Sequence, residues 1–159
     1  MTHQSLKCHK AAILVGGHSS RMGGQPKFLL KDGKGQSYLK RQIKALEKAD
    51  RIYLSAADAA QLALIQNVYK DKDCYGLIDV VKDCGPLGGL YTVLQQLKDE
   101  DEWIFVTACD VPELTESMVG SLIQMSVDAY EQGYDCMVYQ DSRGRIHPLC
   151  GLYRPSLLP

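Results

Sequence analysis

The sequence predicts one α/β domain, a mainly parallel sheet with helices on both faces in three layers, and three observations predict it. Short apolar or β-branched runs alternate with longer stretches of helical periodicity along the whole chain. The first apolar run, residues 11–15, breaks abruptly at Gly16-Gly17, as a buried strand does where it turns into a loop. The chain has 159 residues, 45% of them hydrophobic and 23% charged, which suits one ordinary core in one domain spanning 1–159.

The elements follow in order. Residues 11–15 are continuously apolar and bounded by turn residues, so they form a buried strand. Ser37 can cap a helix with Leu39, Ile43 and Leu46 on one face. Residues 51–55 form a short strand, and Asp58 caps a helix that aligns Leu62, Ile65 and Tyr69. Residues 77–81 supply the next strand. After a glycine-rich loop at 85–89, Leu90, Val93, Leu94 and Leu97 recur at i, i+3, i+4 and i+7, one helix face. The acidic run 99–102 is a solvated turn, and residues 103–107 are a buried strand by their aromatic and β-branched content. Thr115 opens a long helix with Met118, Val119, Leu122, Ile123 and Tyr130 turned inward, and residues 134–139 alternate as a strand. Strands separated by helices of this length imply right-handed crossovers. No internal repeat or low-complexity linker interrupts the pattern.

Composition narrows the function classes. A net charge of −1 provides no basic field for nucleic acid or an anionic membrane. The densest basic stretch, residues 34–48, reads as a solvated helix face. No apolar run approaches the roughly 18 residues that span a bilayer. The six cysteines are widely spaced, with no Cys-x-x-Cys pair, and the first ten residues are polar rather than a signal peptide. Free thiols in a cytoplasmic protein are the expectation.

The chemistry-bearing residues gather in the loops after predicted strands. Gly16 and Gly17 allow a tight turn and leave backbone N–H groups open to an anion. Arg21 and Lys27 add charges suited to phosphate oxygens. The same string also makes a plain glycine-rich turn with surface cations, and it matches neither the P-loop nor the dinucleotide fingerprint. Ligands on open α/β sheets sit at the carboxyl ends of strands, which turns attention to Asp79 and to Asp110. Asp110, just past a buried strand, suits Mg²⁺, a hard ion that takes oxygen ligands. An Asp two residues before Pro112 equally suits a turn. In the segment Gly85-Pro86-Leu87-Gly88-Gly89 a fixed turn and small residues admit a flat ring or sugar, or simply a closely packed helix entry.

The string Leu14-Val15-Gly16-Gly17-His18-Ser19-Ser20-Arg21-Met22-Gly23, closed by Lys27, resembles the signature loop of nucleotidyltransferases, which move a nucleoside monophosphate from a triphosphate onto a phosphorylated acceptor. Gly85-Pro-Leu-Gly-Gly-Leu90 is similar to the Gly-Pro-Leu-Ala-Gly segment of molybdenum cofactor guanylyltransferases. Ala108-Cys-Asp-Val-Pro-Glu-Leu114 resembles their Pro-Cys-Asp-x-Pro-x-Leu, and His147-Pro-Leu-Cys-Gly-Leu-Tyr153 their later His-Pro strand. The resemblance implies a Rossmann-like nucleotidyltransferase fold and transfer of GMP from GTP to Mo-molybdopterin, with Mg²⁺ as cofactor and pyrophosphate released. It implies that Leu14, Val15 and Gly16 hold the guanine and ribose end. Gly17, Arg21 and Lys27 would then meet the phosphates, and Asp79 and residues 85–88 the nucleotide. Asp110 would contact the nucleotide and carry the metal. Arg21, Lys27 and Asp110 are the implied catalytic set, and His147 and Pro148 lie toward the acceptor. The resemblance leaves room for proteins that deliver or accept the cofactor.

Val15 stands where the family has Ala, Gln25-Pro26 where it has x-Asp, and Ala108 where it has Pro. The family continues past the Leu-Tyr strand into a further helix and an Asn-containing segment, so the resemblance implies a C-terminal segment lacking here. Two other classes stay open: a cytidylyl- or sugar-phosphate nucleotidyltransferase, and a nucleotide-binding module without catalysis.

Overall fold

Strand order decides where a ligand can sit, and it reverses beside the first strand. The computed structural model describes residues 10–16, 26–69, 74–111 and 113–158. Among them run strands β1 (Lys10–Leu14), β2 (Arg51–Ala56), β3 (Cys74–Ile78), β4 (Ile104–Ala108), β5 (Cys136–Gln140) and β6 (Ile146–Tyr153). They make one sheet of order β3-β2-β1-β4-β6-β5. β1 to β4 are mutually parallel where they pair, and β6 runs antiparallel between β4 and β5. The chain builds outward from β1 through β2 and β3, then returns to place β4 on β1's other side. That makes the β1/β4 junction the topological switch point, where open α/β sheets bind ligands. The register is level: Leu14 pairs with both Ser55 and Ala108, so β1, β2 and β4 end side by side.

Helices α1 (Tyr38–Ala45), α2 (Ala59–Val68), α3 (Pro86–Gln96) and α4 (Glu116–Glu131) cover the two faces. Alternation along each strand sorts the core. Ala11, Ile13, Ile52, Leu54 and Phe105 pack with Leu39 of α1, Ile65 of α2, and Val119 and Leu122 of α4. Ala12, Leu14, Tyr53, Ile104 and Val106 face the other way onto Val93 and Leu94 of α3 and Leu97 just past its end. The fold is the three-layer α/β arrangement read from the sequence.

Three helix starts are the expected ones. Ser37 accepts from the Lys40 amide, Asp58 from Gln61 and Thr115 from Met118, each satisfying an orphan N–H of a first turn. Three details differ. β3 ends at Ile78 rather than continuing to Val81, because the backbone turns at Asp79 and exposes Val80 and Val81. Residues 86–89 are helix, not loop: Pro86 lacks an N–H where none is needed, and Gly85 makes the turn into it at φ +55°. Tyr130 points outward, with the Arg154 guanidinium 4.8 Å above its ring.

Cys84, Cys109, Cys136 and Cys150 are free thiols, and Cys8 lies outside the described residues. No helix among the described residues is long and apolar enough to cross a membrane.

Candidate active site

The end of β1 is tied to both neighbours. The Val15 and Gly16 amides donate to the Ser55 carbonyl at 2.8 and 3.0 Å, and the Cys109 amide donates to the Leu14 carbonyl at 3.1 Å. These bonds carry Gly16 and the Cys109-Asp110 turn to one edge of the sheet. Gly17 and Arg21 lie outside the described residues.

Lys27 returns to the same edge. It opens a 3-10 turn, Lys27–Leu29, whose Phe28 is fully buried and anchors the segment in the core. The Lys27 ammonium donates to Asp110 Oδ2 at 2.8 Å, spanning the switch point between β1 and β4. Both side chains stay accessible, 40% and 44% exposed, so a ligand can reach either.

The turn that carries Asp110 is held from below. Gln42 of α1 is buried, and its Nε2 donates to the Ala108 carbonyl at 2.6 Å and the Val111 carbonyl at 3.0 Å. Sequence reasoning passed over this residue. Its signal was there: Leu39, Gln42, Ile43 and Leu46 follow the i, i+3, i+4, i+7 spacing, which puts an amide on the buried face of α1. Beside Asp110, burial and then the Asp110 charge push the Cys109 thiol up to about 12, so at neutral pH it stays a protonated thiol and not a nucleophile.

Asp79 lies behind Gly16. It is only 6% exposed, its amide donates to the Ala56 carbonyl at 2.8 Å, and its Oδ1 accepts from the Ser55 hydroxyl. Burial raises its pKa, opposed by the Ser55 hydrogen bond and by Lys82. A Cβ on Gly16 would lie 2.8 Å from Asp79 Oδ2, and one on Gly89 would lie 3.0 Å from Ser55 Oγ. Glycine at both positions lets the first loop and the start of α3 close on the same carboxyl. Ser55 is the second residue the sequence reading missed, and nothing in its strand pattern marks it.

The Gly85–Gly88 segment enters this edge as the first turn of α3. Val80 N–H donates to Thr92 Oγ1 at 3.0 Å and Thr92 Oγ1 donates to the Gly88 carbonyl at 2.8 Å, which fastens the loop after β3 to the helix. Leu87 projects from that turn 68% exposed, beside the fixed Pro86. His147 lies on β6, whose first residues run past the end of β4 because Thr107 pairs with Cys150. Its Nε2 is 3.2 Å from Asp141 Oδ2, which also accepts from Arg145 Nε at 2.8 Å. Backbone amides of Arg145 and Arg143 complete that turn and lower the Asp141 pKa.

Gly16, Lys27, Asp79, Asp110 and the start of α3 therefore share the carboxyl edge around the switch point. Among the described residues no three His, Cys, Asp or Glu side chains gather as a metal set. A lone accessible carboxylate still fits Mg²⁺, which keeps several waters and shares its remaining positions with substrate phosphates. Asp110 is such a carboxylate. The arrangement can hold a polyphosphate and its counter-ion, and it contains no activated nucleophile among its described side chains.

Residues 11–159 match the MobA-like NTP transferase domain. The chain belongs to that family. Its fold is shared with Rv0371c from Mycobacterium tuberculosis H37Rv, at a TM-score of 0.69 and 18% identity over 94% of this chain and 72% of that one. A manganese complex of Rv0371c matches at 0.64 and 18% over 91% and 70%. A 2-C-methyl-D-erythritol 4-phosphate cytidylyltransferase from Francisella tularensis matches at 0.58 and 17% over 92% and 72%. This chain is a nucleotidyltransferase domain of the MobA-like type.

Proposed function

We propose that this domain transfers GMP from GTP to the phosphate of Mo-molybdopterin, forming the molybdopterin guanine dinucleotide cofactor and releasing pyrophosphate. The observation that carries the reading is the Lys27–Asp110 pair at 2.8 Å across the switch point, beside the exit of β1. An ammonium and a carboxylate side by side there suit a phosphate chain and the cation that accompanies it. Arg21 and Gly17, from the same signature loop, complete the phosphate-binding set in this proposal.

An oxygen of the acceptor phosphate forms a bond to the α-phosphorus of GTP, and the bond from that phosphorus to the leaving pyrophosphate breaks. Charge accumulates on the phosphoryl oxygens and the leaving group, where fixed cations stabilise it. The acceptor phosphate is already ionised near neutral pH, so the chain needs no general base. Mg²⁺ held by Asp110 and the phosphates would supply further neutralisation of that charge; the manganese complex of Rv0371c supports a divalent ion at this fold. Lys27 and Arg21 bind and orient the phosphates, Leu14, Val15 and Gly16 line the nucleoside end, and Gly85, Pro86, Leu87 and Gly88 flank the base.

Guanine is the base supported by the likeness of residues 85–90 to the guanylyltransferase segment. Carbonyls of the two glycine segments suit its N1–H and N2 donors, and groups left unpaired would reject adenine. The likeness to a cytidylyltransferase favours CTP as the second reading. The test is Mg²⁺-dependent affinity for GTP, CTP, UTP and ATP side by side, with pyrophosphate release in the presence of molybdopterin. GTP should bind tightest and alone support turnover. Tighter CTP moves the protein to the cytidylyl branch, and GTP binding without turnover makes it a binding module.

Asp79 supplies a separate prediction. Its raised pKa means that the folded state holds the proton more tightly than the unfolded chain. Stability therefore falls as pH rises from the ordinary carboxylate range through the raised value. Asp79→Asn keeps an acceptor for Ser55 and removes the buried charge. The melting temperature at pH 7 should be unchanged or higher, and the difference from wild type should shrink toward acid pH. Nucleotide affinity should drop about tenfold or more, the effect of losing one charge-assisted hydrogen bond. A pH series of thermal melts with a nucleotide titration checks both. A variant that binds normally removes Asp79 from the nucleotide site.

A further inference from the structure

We propose that Gln42 is a positioning residue for Asp110: its amide fixes the turn from which the carboxylate reaches the metal and nucleotide. The inference rests on the reading of Asp110 given above. Gln42 sits on α1 between the buried Leu39 and Leu46, and is itself 1% exposed. Its Nε2 spends both protons on two backbone carbonyls, Ala108 at 2.6 Å and Val111 at 3.0 Å. Those carbonyls bracket Cys109 and Asp110, so one side chain clamps both ends of the turn.

The rest of the amide argues that packing is not its purpose. Gln42 Oε1 is buried with no hydrogen-bond partner among the described residues. A buried acceptor without a donor is unfavourable, and an apolar side chain of similar length would fill the same space without that cost. Flipping the amide brings no relief, because Oε1 would then face two carbonyl oxygens. What glutamine supplies and an apolar residue lacks is the pair of donors at the Asp110 turn.

The turn needs them. Among the described residues its own backbone bonds are the Val111 amide to Ala108, long at 3.3 Å, and the Cys109 amide to Leu14 at 3.1 Å. Neither fixes the direction in which Asp110 leaves the chain. The clamp comes from a different element, so α1 sets the height of the carboxylate above the sheet edge. Partners that orient a metal-binding group through a second layer of hydrogen bonds typically change metal affinity by about 10- to 100-fold.

Two measurements test this. In Gln42→Met the packing is kept and both donors are lost, so the melting temperature should fall moderately as the Ala108 and Val111 carbonyls lose a donor, while metal-free GTP binding by the folded protein should stay close to wild type. The affinity for Mn²⁺ in the presence of GTP, followed by electron paramagnetic resonance, should fall about 10- to 100-fold. Wild-type Mn²⁺ affinity in a folded Gln42→Met protein overturns the inference. If wild type itself takes up no Mn²⁺ with GTP, the reading of Asp110 falls and this inference with it, a result that the variant alone cannot produce. Should the variant fail to fold, the wild-type protein decides. Both Gln42 side-chain amide protons should exchange slowly with solvent and shift when Mg²⁺ and GTP are added. Fast exchange, or no response to the ligand, overturns the clamp.

Discussion

Asp110→Asn is expected to abolish most metal-dependent nucleotidyl transfer while leaving the fold and its melting temperature nearly intact. The two halves of that expectation have separate physical grounds. The carboxylate is 44% exposed and pairs with a lysine that is 40% exposed, so the pair is solvated and screened. Such pairs stabilise proteins by about 0–1 kcal/mol. The asparagine amide keeps the size of the side chain and can still accept from Lys27. In the proposed reaction the lost charge is what holds a divalent ion against the phosphates, and an amide oxygen coordinates without that charge. Removing one preorganised electrostatic group of this kind lowers turnover by about 10²- to 10³-fold. Pyrophosphate release across a Mg²⁺ titration, set beside a thermal melt, measures both. Unchanged metal dependence would return Asp110 to the role of a turn residue before Pro112. A large drop in melting temperature would make it a structural carboxylate.

The parts of the fold legible in the sequence are those governed by local rules. Ser37, Asp58 and Thr115 cap helices because their oxygens satisfy amides three residues on, a relation contained within one turn. The buried strands of β1 and β4 were visible as continuous apolar runs because both faces of those strands are covered. The apolar pattern sets this strand at 77–81, three residues later than β3, since as an edge strand β3 is half exposed and the apolar residues continue past its end into Val80 and Val81. The start of α3 was hidden by glycines that read as loop. Gly88 and Gly89 are small for packing reasons instead: a Cβ there would crowd the Val81 carbonyl at 2.7 Å and Ser55 Oγ at 3.0 Å. Tyr130 kept the helical period of α4 yet lies beyond the sheet's cover, against Arg154.

The candidate site divides in the same way. Lys27 and Asp110 were legible because charged residues following apolar runs stand out, and the rule for strand ends brings them to one edge. Gly17 and Arg21 lie outside the described residues, so their part in the site remains a proposal built on the signature loop. The burial of Gln42 is legible in its helical spacing, but its part in the site and that of Ser55 are not, because each acts through a contact far away in sequence. Gln42 reaches Ala108 and Val111, and Ser55 reaches Asp79. Neither relation has a spacing that a one-dimensional pattern can carry.

Lys27→Ala is expected to separate nucleotide binding from metal binding. In the proposal Lys27 binds the phosphates, so its loss should lower nucleotide affinity and turnover by about two orders of magnitude or more, as removing a charged partner of a phosphoryl transition state does. Without nucleotide, Lys27 and a metal ion compete for the same oxygen, because the ammonium donates to Asp110 Oδ2 at 2.8 Å. Removing the ammonium leaves that carboxylate open to a cation, so the affinity for Mn²⁺ alone should be unchanged or tighter. Stability should change by no more than about 1 kcal/mol, because the pair is exposed and the anchor of the segment is the neighbouring Phe28, fully buried. A merely structural lysine predicts the reverse pattern, in which stability and both affinities fall together. Mn²⁺ titrations with and without GTP, a thermal melt and pyrophosphate release on the one variant separate the cases. Weaker binding of Mn²⁺ alone in a folded Lys27→Ala protein would show that Lys27 supports the metal position instead of competing for it, and the division of roles between Lys27 and Asp110 would have to be redrawn.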